Sequence, residues 1–320
     1  MRVAMVGAGA MGSVYGGFLA LAGHEVTWVE LWQEHVDAIN ADGLRMTCGD
    51  EERVARGRAI ADAAQLGPVD LVMIWTKAYD TAQAMRDIAP VLGPDTAVCT
   101  LQNGLGNVEV IEEHVAPERV VYGVAAVGAV LAGPGHISVS DGAWGGESMT
   151  WVGTRHPDGR GIVERTAAML TDATLPTEVR DDIDVLVWNK LAMAAAMSSV
   201  ASTTRLRMGL VLDSPGTFAL LRTLTEEIVA VAAAKGIPLD PEEALTRNLT
   251  AYEHGREHLP SMLQDVIARR RTEVSALTRA IADEGQALGV PTPALTTLAA
   301  LIEAIEANYD GQRFPEPAVR

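Results

Sequence analysis

The first dozen residues constrain this chain more than any others. An apolar run, Val3-Ala4-Met5-Val6, leads directly into Gly7-Ala8-Gly9-Ala10-Met11-Gly12. Apolar residues then recur at helical spacing through Val14, Phe18, Leu19 and Leu21. A strand that ends in Gly-x-Gly-x-x-Gly and opens a helix is built to hold a dinucleotide. Gly7 makes the tight turn, Gly9 lets the backbone approach a pyrophosphate, and Gly12 lets helix and strand pack closely. Ala10 and Met11 open the helix, whose free N–H groups and positive dipole end face the phosphates. A second strand pattern at 25–29 ends in Glu30, 18 residues past Gly12, where a carboxylate accepts from ribose hydroxyls. A glycine-rich turn in an unrelated α/β domain is the plain alternative. The flanking strand, helix and acidic residue favour a nucleotide.

At 320 residues the chain is expected to form one or two domains. Its formal net charge of −17 argues against nucleic acid, which requires a basic face. That charge fits a small-molecule binder with a local cationic pocket. No apolar run approaches the roughly 18 residues needed to cross a bilayer, and strand, turn and helix occupy the positions a signal peptide needs. A cytoplasmic protein without a membrane partner is expected. Cys48 and Cys99 lie far apart and read as free thiols, and the seven histidines form no metal-ligand cluster. Among 25 cationic residues only Lys77, Lys190 and Lys235 are lysines. Lysine can lose its proton when buried and arginine effectively cannot, so Lys77 and Lys190 stand out. Lys235, beside Gly236 at an expected helix end, reads as a surface residue.

Short apolar stretches at 3–6, 25–29, 69–75, 97–101 and 120–127 read as buried parallel strands separated by helices, including 81–92 and 106–114. Residues 128–153 read as extra strands and turns, with Gly-Pro-Gly at 133–135 and a glycine-rich run at 142–146. A helix at 161–173 and a strand at 177–179 complete a doubly wound α/β sheet with an antiparallel extension. From Asp181 onward the pattern is helical: 183–200, 214–235, 241–254, 263–288 and 293–308. The tail at 313–320 is expected to be loose. In such two-domain proteins a ligand is expected in the cleft between the domains.

Four clusters carry chemistry. Gln102-Asn103-Gly104 follows the 97–101 strand, at the sheet edge where ligands bind. The Asn103 amide donates and accepts, but Asn-Gly is equally a favoured turn, and the residues leave these two readings level. Lys77, in Trp75-Thr76-Lys77, ends the 69–75 strand on the same edge, placed for a phosphate, a ribose or a carboxylate. Lys190 lies in a helix that is apolar nearly all round, where a cation is costly unless paired or facing a cleft. Desolvation lowers its pKa toward that of an acid working near neutral pH; a snorkelling lysine is the alternative. Finally, Ser261-Met262-Leu263-Gln264 reads as a capping box, with Glu273 paired to Arg269 or Arg270. Twelve residues of straight helix span about 18 Å. Ser261 and Glu273 therefore reach one small ligand only if the chain turns between them, and the break is expected ahead of Asp265.

Together these residues resemble the ketopantoate reductase (2-dehydropantoate 2-reductase) family over essentially the whole chain. The likeness rests on Gly-Ala-Gly-Ala-Met-Gly at 7–12, Thr-Lys-Ala at 76–78, Gln-Asn-Gly at 102–104 and Trp-x-Lys-Leu at 188–191. It extends through Ser-Met-Leu-Gln-Asp-Val and Arg-Arg-Thr-Glu within 261–273 and Gly-Val-Pro-Thr-Pro at 289–293. The resemblance implies a Rossmann-type domain at 1–181 and a helical substrate and dimerisation domain at 182–320. It also implies a homodimer that reduces a 2-oxo acid to a D-2-hydroxy acid with NAD(P)H. It makes Lys190 the catalytic lysine on the ketone oxygen and Glu273 the glutamate that holds the substrate hydroxyl or ribose. Asn103 becomes the asparagine near the nicotinamide, and Ser261 the serine on the substrate. Gly7, Gly9, Ala10, Met11, Gly12, Glu30 and Lys77 fall to the cofactor.

Three departures qualify the resemblance. Ala194, Ser198 and Ser199 stand where the family carries two asparagines and a proline, so the helix face beside Lys190 has lost two amides. Leu31 replaces the arginine that grips the 2′-phosphate of NADPH, next to Glu30, which points to NADH with NADPH as the alternative coenzyme. Pro260 replaces a second serine. Ala194 and Ser198 accordingly predict a substrate other than ketopantoate. Rival readings are a secondary-alcohol dehydrogenase or imine reductase, and a catalytically silent NAD-binding regulator.

Overall fold

The computed structural model describes residues 1–140, 144 and 149–310; the expected turn at 142–146, Trp144 apart, and the tail at 313–320 lie outside the described residues. The chain divides into two compact units, Met1–Leu186 and Val187–Arg320.

The first unit runs β1 (Arg2–Val6), α1 (Ala10–Leu21), β2 (Glu25–Val29), α2 (Gln33–Asp42), β3 (Leu44–Cys48), β4 (Glu51–Ala55), β5 (Arg58–Ile60) and β6 (Leu71–Ile74). It continues with α3 (Thr81–Ile88), β7 (Ala97–Thr100), α4 (Asn107–Glu112), β8 (Val120–Ala125), β9 (Ala129–Gly133), β10 (His136–Val139), β11 (Thr150–Gly153), α5 (Arg160–Asp172) and β12 (Thr177–Val179). Eight strands form one sheet in the order β12-β11-β8-β7-β6-β1-β2-β5. All neighbours are parallel except β8 and β11. The central strands are short and wholly buried, Leu71–Ile74 and Ala97–Thr100 among them, as strands covered on both faces must be. Strand order reverses beside β1: β2 lies on one side and β6 on the other. That switch point opens the crevice where α/β sheets take ligands.

The expected antiparallel extension exists in β11, but most of the additional strand belongs to a separate four-stranded sheet, β4-β3-β10-β9. α1 contacts strands of both sheets, which explains its paired small residues. A Cβ on Gly16 would lie 2.3 Å from Trp28 of the large sheet, and one on Gly17 2.4 Å from Met46 of the small one.

The second unit is helical. α6 (Ile183–Thr204) runs through the division, followed by α7 (Met208–Asp213), α8 (Pro215–Ala234), α9 (Pro241–His254), α10 (Ser261–Ile267), α11 (Thr278–Leu288) and α12 (Pro293–Ala307). α8 packs against α7, α9, α11 and α12, burying Leu221, Leu224, Ile228 and Val231 at helical spacing. The expected absence of a long apolar run needs correction. Among the described residues, α6 has the length and composition to cross a membrane, but over half of that window is buried inside the protein.

The single helix expected at 263–288 is two helices. α10 ends at Ile267 and α11 begins at Thr278, so the break falls after Asp265 rather than ahead of it. The cause is local: Arg269 adopts φ 55°, and the N–H groups of Arg270 and Arg269 return to the carbonyls of Asp265 and Val266 at 2.9 and 3.1 Å. This is a Schellman ending with an arginine at the left-handed position usually given to glycine. The capping box is also not formed. Pro260 occupies the cap position without a side-chain bond, and Gln264 Nε2 donates instead to the Leu259 carbonyl at 2.7 Å.

Candidate active site

The loop after β1 has the geometry a dinucleotide needs. Gly7 sits at φ 92°, a conformation that L side chains rarely adopt. A Cβ on Gly12 would lie 1.9 Å from the Gly7 carbonyl, so any larger residue would push α1 off β1. Gly9 differs: a Cβ there would meet nothing within 4 Å, and no side chain caps α1. Open space faced by the uncapped N–H groups of Ala10, Met11 and Gly12 fits a pyrophosphate. Glu30 closes the loop from β2, its Oε2 accepting from the Ala8 N–H at 2.8 Å and its Oε1 from the Trp32 N–H at 3.0 Å. The neighbouring Leu31 is 85% exposed. Below the loop, Ser13 Oγ donates to the Ala8 carbonyl at 2.8 Å and lies 3.4 Å from His35 Nε2. His35 Nδ1 accepts from the Gly135 N–H at 2.9 Å, and burial pushes this imidazole toward its neutral form.

The loops after β6 and β7 lie on adjacent strands and are tied together. Lys77, half-buried, stands just before a 3₁₀ turn at Ala78–Asp80. Gln102 Nε2 donates to the Thr76 carbonyl at 2.7 Å, and Asn107 Nδ2 donates to the Asn103 carbonyl at 3.2 Å. Gly104 and Gly106 both have positive φ, and the chain bends through Asn103-Gly104, with Asn103 half-buried in the bend.

In the helical unit Lys190 occupies the first half of α6, half-buried between the buried Trp188 and Leu191. Burial pushes its ammonium down to about 8, because a cation loses more than a neutral amine when water is removed. Ala194 and Ser198 follow one and two turns along the same face; Ser198 is buried and Ala194 half-buried. Ser261 is exposed at the first turn of α10. Glu273 is 8% exposed and lies in the irregular link between α10 and α11. The arginines expected to pair with it are engaged elsewhere, Arg270 with Asp265 and Arg269 with Asp310. The link is anchored to α12, since both the N–H and Oγ1 of Thr272 donate to Glu306 at 2.7 Å. Ser13, His35, Thr81 and Asn107 support these loops without any motif of their own. Their one signal in the sequence is a polar residue near a helix start behind a strand-end loop.

The ketopantoate reductase PanE/ApbA family matches residues 3–154, and its C-terminal counterpart matches residues 182–306. The 2-dehydropantoate 2-reductase of Pyrococcus horikoshii is 31% identical over 316 residues, covering 98% of this chain and 100% of that protein. A PanE/ApbA family ketopantoate reductase from Ralstonia eutropha superposes with a TM-score of 0.86 at 32% identity, over 97% of this chain and 100% of the other. D-mandelate dehydrogenase, solved with NADH and anilino(oxo)acetate, reaches a TM-score of 0.91 at 28% identity, again over 97% and 100%. Both halves of the sequence are thus accounted for by one lineage, and the chain belongs to the ketopantoate reductase family.

Proposed function

We propose that this chain, a nicotinamide-dependent oxidoreductase of the 2-oxo acid class, uses NADH and acts on a bulkier or less hydroxylated 2-oxo acid than ketopantoate. The sheet domain, 1–181, takes the coenzyme, and the helical domain, 182–320, supplies the substrate groups. When bound, the reduced nicotinamide supplies a hydride to the carbonyl carbon. Lys190 Nζ hydrogen-bonds the carbonyl oxygen, stabilises the negative charge that develops there and gives up its proton, regaining one from solvent. Glu273 and Ser261 hold the substrate, and Asn103 orients the nicotinamide. The observation that carries this reading is the Glu30 carboxylate, held beside the glycine loop by the Ala8 and Trp32 N–H groups; the place of Lys190 in the apolar helix α6, where burial pushes its ammonium down to about 8, supports its part as the acid.

Glu30 supports the coenzyme preference. Its carboxylate, fixed beside the glycine loop by two backbone N–H groups, accepts from a 2′-hydroxyl and repels a 2′-phosphate. Two unit charges about 5 Å apart repel by about 3 kcal/mol at an effective dielectric near 20. Leu31 offers no cation in compensation. Ala194 and Ser198 support the substrate preference, as a methyl and a short hydroxyl cannot replace two amides in holding a polar acid. D-mandelate dehydrogenase, a structural neighbour, takes its name from an aromatic 2-hydroxy acid, in accord with that reading.

Steady-state oxidation of NADH and NADPH against ketopantoate, phenylglyoxylate and branched 2-oxo acids tests the proposal. Phenylglyoxylate or a branched acid with NADH should give the highest kcat/KM. A higher value for ketopantoate, or for NADPH, refutes the corresponding half.

A further inference from the structure

The two loops beyond β6 and β7 are joined by a chain of side chains with a single direction. Gln102 uses both ends of its amide. Oε1 accepts from Thr100 Oγ1 at 2.8 Å, while Nε2 donates to the Thr76 carbonyl at 2.7 Å and to Thr81 Oγ1 at 3.0 Å. An amide nitrogen only donates. Thr81 therefore accepts from Gln102 and turns its own proton to Asn107 Oδ1 at 3.0 Å. The Asn107 Nδ2 group then donates to the Asn103 carbonyl at 3.2 Å. Thr81 and Asn107 are 1% and 5% exposed, so water does not readily replace a lost link.

Strand order shows which part of the coenzyme these loops face. The pyrophosphate lies over the loop after β1, and Glu30 at the end of β2 takes the adenosine ribose. The other half of the molecule must extend the opposite way, over β6 and then β7. Strands lie about 4.8 Å apart, so the end of β7 is about 10 Å from that of β1, within reach of a nicotinamide riboside. We propose that Gln102 is a positioning residue that fixes the Thr76–Lys77 and Asn103 backbones in mutual register through Thr81 and Asn107, and so sets the seat of the nicotinamide ring of the coenzyme. The proposal rests on the nicotinamide-coenzyme reading and is independent of which 2-oxo acid is reduced.

Calorimetric binding of NADH and of ADP-ribose, which lacks the nicotinamide, to the full chain tests it without requiring turnover. Gln102→Leu removes the donor to the Thr76 carbonyl, Thr76 Oγ1 and Thr81 Oγ1, and the acceptor of the Thr100 hydroxyl. It should weaken NADH about 10- to 100-fold while changing ADP-ribose less than about twofold. Gln102→Glu keeps the size and removes the donor, except where the carboxyl is protonated. Its NADH affinity relative to the unaltered protein should recover as pH falls from about 8 to about 5, as the acid form returns. Lys77 and Asp80, on the same loop, are common to both proteins and cancel in that ratio. NADH affinity unchanged in both variants, equal weakening of NADH and ADP-ribose, or a flat pH ratio for Gln102→Glu would each overturn the proposal. A protein that binds NADH but turns over no 2-oxo acid defeats the reductase reading alone, and the NADH to ADP-ribose ratio still decides the role of Gln102.

Discussion

The acid role proposed for Lys190 and its burden on the fold have one cause, burial, and Lys190→Met separates the two effects. Moving the ammonium from its ordinary 10.5 to about 8 corresponds to about 3 kcal/mol against the cation. Because the side chain is half-buried, the stability effect is discounted to roughly 1–3 kcal/mol. Below pH 8 both folded and unfolded chains carry the proton, and the folded state bears the full penalty. Between pH 8 and 10.5 the unfolded chain holds a proton that the folded chain has lost, so stability rises with pH. Above 10.5 both are neutral and the penalty is gone. Methionine removes the charge at every pH while keeping the length of the side chain. Urea unfolding followed by circular dichroism should give Lys190→Met a higher midpoint at pH 7, with an advantage that shrinks toward zero by pH 10.5. In the same protein kcat should fall about 10²- to 10⁴-fold, with NADH affinity retained. A midpoint at pH 7 equal to or below that of the unaltered protein, or an advantage independent of pH, would refute the desolvation argument.

Glu30→Ala combined with Leu31→Arg should move the ratio of kcat/KM values for NADH and NADPH toward NADPH by at least tenfold, since a repulsion of about 3 kcal/mol is exchanged for an attraction. Ala194→Asn with Ser198→Asn should raise kcat/KM for ketopantoate relative to phenylglyoxylate by about tenfold or more, each restored amide pairing a polar group worth about 1–3 kcal/mol when buried. In the helical unit, the buried Glu227 accepts from the N–H groups of Ala294 and Leu295, both at 2.9 Å, at the start of α12. Glu227→Ala should lower the urea midpoint by about 1–2 kcal/mol in stability, with the NADH dissociation constant unchanged.

The fold was legible where local chemistry and global role coincide. Val3–Val6, the glycine loop and Glu30 are close in sequence and form one cradle, so strand, turn and acidic partner could be read together. Lys190 was legible for a different reason: a cation inside an apolar helix conflicts with its surroundings, and the lowered pKa is the physical form of that conflict. What escaped depends on distant partners. The Gln102 chain links residues from 76 to 107, and His35 meets Gly135 across 100 residues. The second sheet pairs β3 with β10, a contact that neither strand's pattern specifies. A break was expected only if Ser261 and Glu273 share one ligand, and its place after Ile267 was not legible, because an arginine at positive φ, held by two backbone hydrogen bonds, leaves no residue signature.

The transfer expected on this chain is of hydride, from a nicotinamide to the C2 of a 2-oxo acid. Its most direct test is isotopic. The protein is incubated with NADH deuterated at the transferable C4 position and a mixture of phenylglyoxylate, branched 2-oxo acids and ketopantoate, and the 2-hydroxy acids are analysed by mass spectrometry. One deuterium at C2 of the product, with the D configuration and most abundant in the aromatic or branched acid, is the result expected. Tight NADH binding with no deuterium in any 2-hydroxy acid would contradict the account and leave a coenzyme-binding protein without reductase chemistry.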